Sequence, residues 1–289
     1  MSDTRFETVL LRDIIGYSSS FTSRTTEIRL KALGMHILEM EDVLFHLNSA
    51  IMMPESPSGK SSADGVASDG PGGDLGDDFQ EDQQTVTGIS ALALVFKQFE
   101  LDPKVQMVIA GHTDTSGKPK VNFKLSEERA QNVLYLLEGK KEQWAEVSEG
   151  RQKIEDYQQI MKYFALKKGW ACDPEKVDDK WGDKTKKACR EFFKQALPAL
   201  PGETEDVKKA RADALVAEIE ADSKKRWPAK AWEAVFDLYA EILCKYIGIE
   251  PANLKTYAAN TLKYISDEFN ISSCSLPNEK KYVACGESF

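Results

Sequence analysis

Several things are scarce in this 289-residue chain, and each scarcity excludes something. No run approaches eighteen consecutive apolar residues, so no membrane-spanning helix is expected. There are three histidines and five cysteines (172, 189, 244, 274, 285), and no Cys-x-x-Cys pair, which argues against a structural zinc site. The odd cysteine count leaves at least one thiol free. Positive charge is in deficit: 38 Lys and Arg against 47 Asp and Glu give a net charge of −9. Nucleic acid and anionic lipid are therefore poor partners, because both need a basic surface. The opening Met1-Ser2-Asp3-Thr4-Arg5-Phe6-Glu7 lacks a basic segment followed by an apolar core, so no secretory signal is visible.

What is present suits ordinary globular cores, with 42% apolar and 29% charged residues. Residues 39 to 45 read as a short strand, closed off by Pro54. Residues 56 to 86, rich in Gly, Ser and Asp, read as a disordered loop. The loop lacks the closing Glu of a twelve-residue calcium loop, so its aspartates read as solvated linker. Helical spacing returns at Ile89 to Phe99, and Val105 to Ile109 reads as a strand. Gly111 and Gly117 bracket a polar loop, after which Pro119 opens a helix that stops near Gly139. From Gln143 to Asn270 the pattern is nearly all helical, with a break at Pro228. Lys281 to Cys285 reads as a lone strand, which pairs most economically with the earlier sheet and makes the helical block an insertion.

The most informative segment is Gly111-His112-Thr113-Asp114 with Arg129 fifteen residues beyond the aspartate. It puts an anion and a cation at the mouth of a strand-loop-helix unit. Such a pair suits a zwitterionic head group, since the arginine fork holds a carboxylate bidentately and the aspartate faces an ammonium. A structural ion pair closing the loop onto the helix is the competing reading. Asn122, Ser126 and Arg129 share one helix face and are placed to orient the loop or touch ligand, as are Thr113 and Thr115. His112 is expected to pack or hydrogen-bond within the loop rather than bind metal. Glu127 and Glu128 are expected on the exposed helix surface, and Asn48 and Ser49 in a turn. Trp170, Trp181, Trp227 and Trp232 read as core, with a glycan platform at Trp170 and Trp181 as the alternative. Cys172 and Cys189 are open between a disulfide and two free thiols. Glu287 has no partner acid or base near it in sequence, so no catalytic role is expected.

Three stretches resemble OmpA-like peptidoglycan-binding domains. Val43-Leu44-Phe45-His46-Leu47-Asn48-Ser49-Ala50 with Pro54 resembles their first strand. Gly111 to Gly117, Asn122, Leu125-Ser126 and Arg129-Ala130 are similar to their signature in order and spacing, and Ala284-Cys285-Gly286-Glu287-Ser288 to a later strand and turn. The resemblance implies an α+β fold: an OmpA-like α/β sandwich, βαβαβ, interrupted by a large all-helical insertion. It also implies capture of the diaminopimelate of the peptidoglycan stem peptide, with Asp114 on the ammonium and Arg129 on the carboxylate. The family pattern continues with a further strand, so either the expected sheet is one strand short or the sequence is a piece of a longer chain. A second resemblance lies in the helical block, where Val177 to Phe192 is similar to the three-helix peptidoglycan-binding module found beside cell-wall hydrolases. Asp179 and Phe193 depart from that pattern, which weakens an expectation of binding there.

The expected organisation is an N-terminal segment 1–38 and a discontinuous OmpA-like domain over 39–142 and 276–289. The three-helix module falls at 150–198 and a further helical insertion at 203–272. The expected protein is a noncatalytic peptidoglycan binder of the periplasm or cell envelope that needs no cofactor or metal and anchors a protein or assembly to the cell wall. Two rivals are a structural part of a secretion or contractile injection assembly with a vestigial site, and an accessory part of a cell-wall hydrolase.

Overall fold

The computed structural model describes residues 25–30, 35–40, 45–54, 88–102, 104, 106–113, 117–197, 204–248, 254–268, 271 and 281–287, with backbone alone for 25–30, 35–40, 90, 254–260 and 287. The chain divides into two units, 1–41 with 58–87, and 42–57 with 88–289. In the first unit, β1 (Thr25–Leu30) and β2 (Met35–Met40) form an antiparallel ladder with Thr25 opposite Met40 and Leu30 opposite Met35. The strand expected over 39–45 is thus displaced toward the N-terminus. Phe45 makes an isolated antiparallel bridge to Met52, across a turn in which Asn48 takes φ 62° and Ser49 N–H donates to His46 O. The disordered loop expected at 56–86 lies outside the described residues, as does most of the 1–38 segment.

The second unit is α+β, mostly helical with a small parallel sheet. A 3-10 turn at Gly88–Leu92 leads into α1 (Ala93–Leu101), as the apolar spacing of 89–99 requires. β3 is Ile109–Thr113 rather than 105–109. Its ladder is set by β4 (Tyr282–Glu287), which pairs with it in parallel from Ile109 opposite Tyr282 to Thr113 opposite Glu287. Residues 106–108 have no partner strand among the described residues, and Val108 is exposed. Gly111, His112 and Thr113 are therefore strand rather than loop. The register slips between Gly111 and His112, so Gly286, not Cys285, stands opposite His112.

Helix α2 (Pro119–Leu137) packs on this two-stranded sheet, burying Leu125, Ala130, Val133, Leu134, Leu136 and Leu137. Pro119 sits in its first turn, where a missing N–H costs nothing, and Gly139 follows it with φ 67°. The helical block then runs through α3 (Lys141–Gly150), α4 (Ile154–Lys168), α5 (Asp183–Ala196), α6 (Glu205–Ala221), α7 (Ala229–Tyr246) and α8 (Leu254–Glu268) before β4 returns to the sheet. Among the described residues no helix is long and apolar enough to cross a membrane.

One aromatic chain ties this block together. Trp144 of α3 meets Trp232, Phe236 and Tyr239 of α7 edge-on, with centroids 5.6–6.0 Å apart. Trp227 stacks on Tyr157 of α4 at 4.6 Å and on Phe192 of α5 at 5.6 Å. These separations are those of favourable aromatic pairs. Over 150–198, where three helices were expected, the described residues form two, α4 and α5. Their shared core is closed by Trp227, which lies beyond that span. Trp227 and Trp232 are fully buried, whereas Trp170 and Trp181 are half-buried.

Candidate functional site

The face of α2 that carries Asn122, Ser126 and Arg129 points inward, and all three are buried. Ser126 accepts the N–H of Gly286 at 3.0 Å and donates to Phe123 O at 2.8 Å. Thr113, buried on β3, donates to Gly286 O at 3.1 Å. The two hydroxyls thus hold both backbone groups of Gly286 beside the register slip. Such a bridge between helix and sheet is a structural use of residues that the sequence suggested for ligand contact. Asn122 lies beneath Gly117, whose φ is 113°; a β-carbon on Gly117 would come within 3.0 Å of the Asn122 side-chain oxygen.

Arg129 reaches the other way. Its Nε donates to Ser49 O at 3.1 Å, Nη1 to His112 O at 3.4 Å and Nη2 to His46 O at 3.3 Å. Its guanidinium carbon stands 4.8 Å from the centroid of the Phe45 ring. Three carbonyls and an aromatic face fix the plane of the fork, which is 7% exposed. Asp114 and Thr115 lie outside the described residues. The structure therefore brings Thr113 and Ser126 together at Gly286, and places Arg129 between the end of β3 and the 45–49 turn.

His112, Glu127 and Glu128 depart from expectation, and the open choice at Cys172 and Cys189 falls to free thiols. His112 is exposed on β3, and among the described residues no His, Cys, Asp or Glu cluster fit for a metal exists. Glu127 and Glu128 are half-buried, and Glu128 takes the Nε–H of Arg151 at 2.6 Å. Cys172 and Cys189 are free, buried thiols. Burial pushes the Cys172 thiol up to about 12 and raises that of Cys189 as well. The side chain of Glu287 lies outside the described residues.

Sequence reasoning missed a buried polar network behind Arg129. Ser49 is fully buried; its hydroxyl accepts Ile51 N–H at 3.1 Å and donates to Asp156 Oδ2 at 2.9 Å. Asp156 is itself fully buried, and the same oxygen caps α4 by taking Lys153 N–H at 2.6 Å. A signal existed in the sequence: Asp156, Ile160 and Phe164 are spaced four apart, which puts a carboxylate on the apolar face of α4.

A comparison with family models adds the decisive observation: residues 78–155 match the model described as the OmpA family. This stretch is an OmpA family domain. No curated protein and no solved structure matches the chain. An OmpA family domain suggests peptidoglycan binding in general and association with the cell envelope, and such domains generally bind without catalysis. The OmpA match includes Arg129, Asn122, Ser126 and Thr113. It stops one residue short of Asp156, takes in only the first two residues of α4, and leaves out Ser49, β4 and all later helices. It overlaps the span 150–198 only at 150–155, so the three-helix module expected there is not confirmed.

Proposed function

We propose that this protein is a noncatalytic binder of peptidoglycan that grips the diaminopimelate of the stem peptide and anchors an attached protein or assembly to the cell wall in the periplasm. Arg129 binds the ligand carboxylate and Asp114 its ammonium. Thr115 and Asn122 shape the loop between them, and Thr113 and Ser126 fix the sheet beneath it. The observation that carries this reading is the held guanidinium of Arg129, oriented by the carbonyls of Ser49, His112 and His46. An arginine whose fork is already immobilised loses little side-chain freedom on meeting a carboxylate. Asp114 follows two residues after His112, whose carbonyl Arg129 holds, which suits the two charges to one α-amino-acid head.

The test is titration with soluble diaminopimelate-containing muropeptides. Arg129→Ala and Asp114→Ala are each expected to lose binding by at least about tenfold, the loss of one charge-assisted contact. Parent-like binding by both variants overturns the assignment. Loss of turbidity when the protein is added to purified sacculi overturns the noncatalytic reading.

A further inference from the structure

Arg129 belongs to the OmpA family domain, yet two of the three carbonyls that orient it, those of His46 and Ser49, come from a turn that the first turn of α4 fastens. The Ser49 hydroxyl, its acceptor side occupied by Ile51 N–H, aims its proton at Asp156 Oδ2, 2.9 Å away. The carbonyl of the same residue faces Arg129 Nε at 3.1 Å. One residue along, Ala50 N–H donates to Arg151 O at 3.3 Å, and His46 Nδ1 stands 3.9 Å from Glu155 Oε1. The Asp156 carboxyl at the start of α4 and the Arg151 carbonyl just before it thus hold the turn whose carbonyls hold the arginine.

We propose that Asp156 is a positioning residue for Arg129, acting through Ser49, so that the helical block beginning at α4 sets the geometry of the ligand-binding fork. This rests on reading Arg129 as the carboxylate-binding group. A hydroxyl given to a buried carboxyl oxygen is a directional bond that is costly to lose, because neither partner has water as an alternative. Without that acceptor the Ser49 hydroxyl turns elsewhere and its peptide is free to rotate, taking the Arg129 Nε contact with it. The rival role for Asp156, a helix cap alone, leaves Arg129 untouched.

The experiment uses the full chain and two readouts. The Nε–H resonance of Arg129, identified by its disappearance in Arg129→Lys, reports the fork directly. Titration with a soluble diaminopimelate-containing muropeptide reports binding. Ser49→Ala and Asp156→Ala are expected to shift or broaden that resonance and to weaken binding about tenfold. Asp156→Asn, whose amide oxygen still accepts from both Ser49 and Lys153, should keep both readouts close to the parent. Gln158→Ala serves as control: Gln158 is buried on the same helix and ties down Asp178 and Asp179, so its loss should lower stability and move neither readout. If Asp156→Ala does not fold, Ser49→Ala decides alone. A shifted resonance in Ser49→Ala or Asp156→Ala, together with a parent that binds no muropeptide, supports the positioning role and overturns the ligand reading. A parent that binds, with folded Ser49→Ala and Asp156→Ala matching it in both readouts, overturns the positioning role.

Discussion

A β-carbon placed on Gly111 would lie 2.0 Å from the carbonyl oxygen of Ser126, well inside any allowed contact. The obstacle is helix backbone, not the end of a flexible side chain, so relief requires moving α2 off β3. Gly111→Ala is therefore expected to destabilise by about 3 kcal/mol, the upper part of the overpacking range. Urea denaturation should show a lower midpoint at unchanged slope. A change within about 0.5 kcal/mol, the range of ordinary surface substitutions, would mean that the helix and strand are not so closely apposed.

Ser126 has a different kind of leverage. Removing its hydroxyl strands the buried N–H of Gly286 and frees Phe123 O, which should cost about 1–3 kcal/mol. Ser126→Ala should also speed hydrogen exchange at the Gly286 amide while leaving amides in α7 protected as before. Unchanged protection at Gly286 would contradict the helix-to-sheet bridge.

The aromatic chain predicts which parts of the helical block fold together. Trp227 is fully buried and touches rings from α4, α5 and α7, so Trp227→Ala should cost about 3–5 kcal/mol. Trp170, half-buried against Phe164 and Phe192, should cost less than half of that. A fragment of residues 150–198 lacks the Trp227 ring that closes its core. It is expected to give a weakly helical circular dichroism spectrum with no cooperative melt, and a cooperative melt would show that span to be self-sufficient.

These cases also mark how far the sequence could be read. Helix α2 was legible from end to end because Pro119 and Gly139 mark its limits and its apolar residues recur at helical spacing. The pairing of β4 with β3 was legible because a lone strand must find a partner. The start of β3 was not, since apolar content in Val105 to Ile109 mimics a strand while the ladder is fixed by where β4 lies. Trp227 was legible as a core ring, but not its partners, which lie some 35 to 70 residues earlier in the chain. Arg129 stood out as a candidate from its spacing to Asp114, but the carbonyls of Ser49, His112 and His46 that hold its fork were not legible. Ser49 and Asp156, 107 residues apart, could be joined only by the fold.

The same buried pair of turns gives a pH signature with two opposite signs. Burial lowers His46 below its ordinary 6.5, opposed by Glu155 and reinforced by Lys153. The folded chain therefore binds that proton less readily than the unfolded chain, so the contribution of His46 is present above about 6.5 and is lost as pH falls through its lower folded value. Asp156 behaves in reverse. Burial raises its carboxyl well above the ordinary 3.8, against the lowering effects of the Lys153 N–H, the Ser49 hydroxyl and the Lys153 charge, while Glu155 adds to the rise. Its contribution is full below about 3.8 and is lost as pH climbs from there through the folded value. Urea denaturation of the parent, His46→Gln and Asp156→Asn between about pH 4 and pH 8 separates the two. The stability of His46→Gln relative to the parent should rise on acidification below about 6.5. That of Asp156→Asn relative to the parent should instead rise from its acid-side value as pH increases above about 4. Because each comparison subtracts every other titrating group, a flat difference across the range for either variant would remove that residue from the pH response.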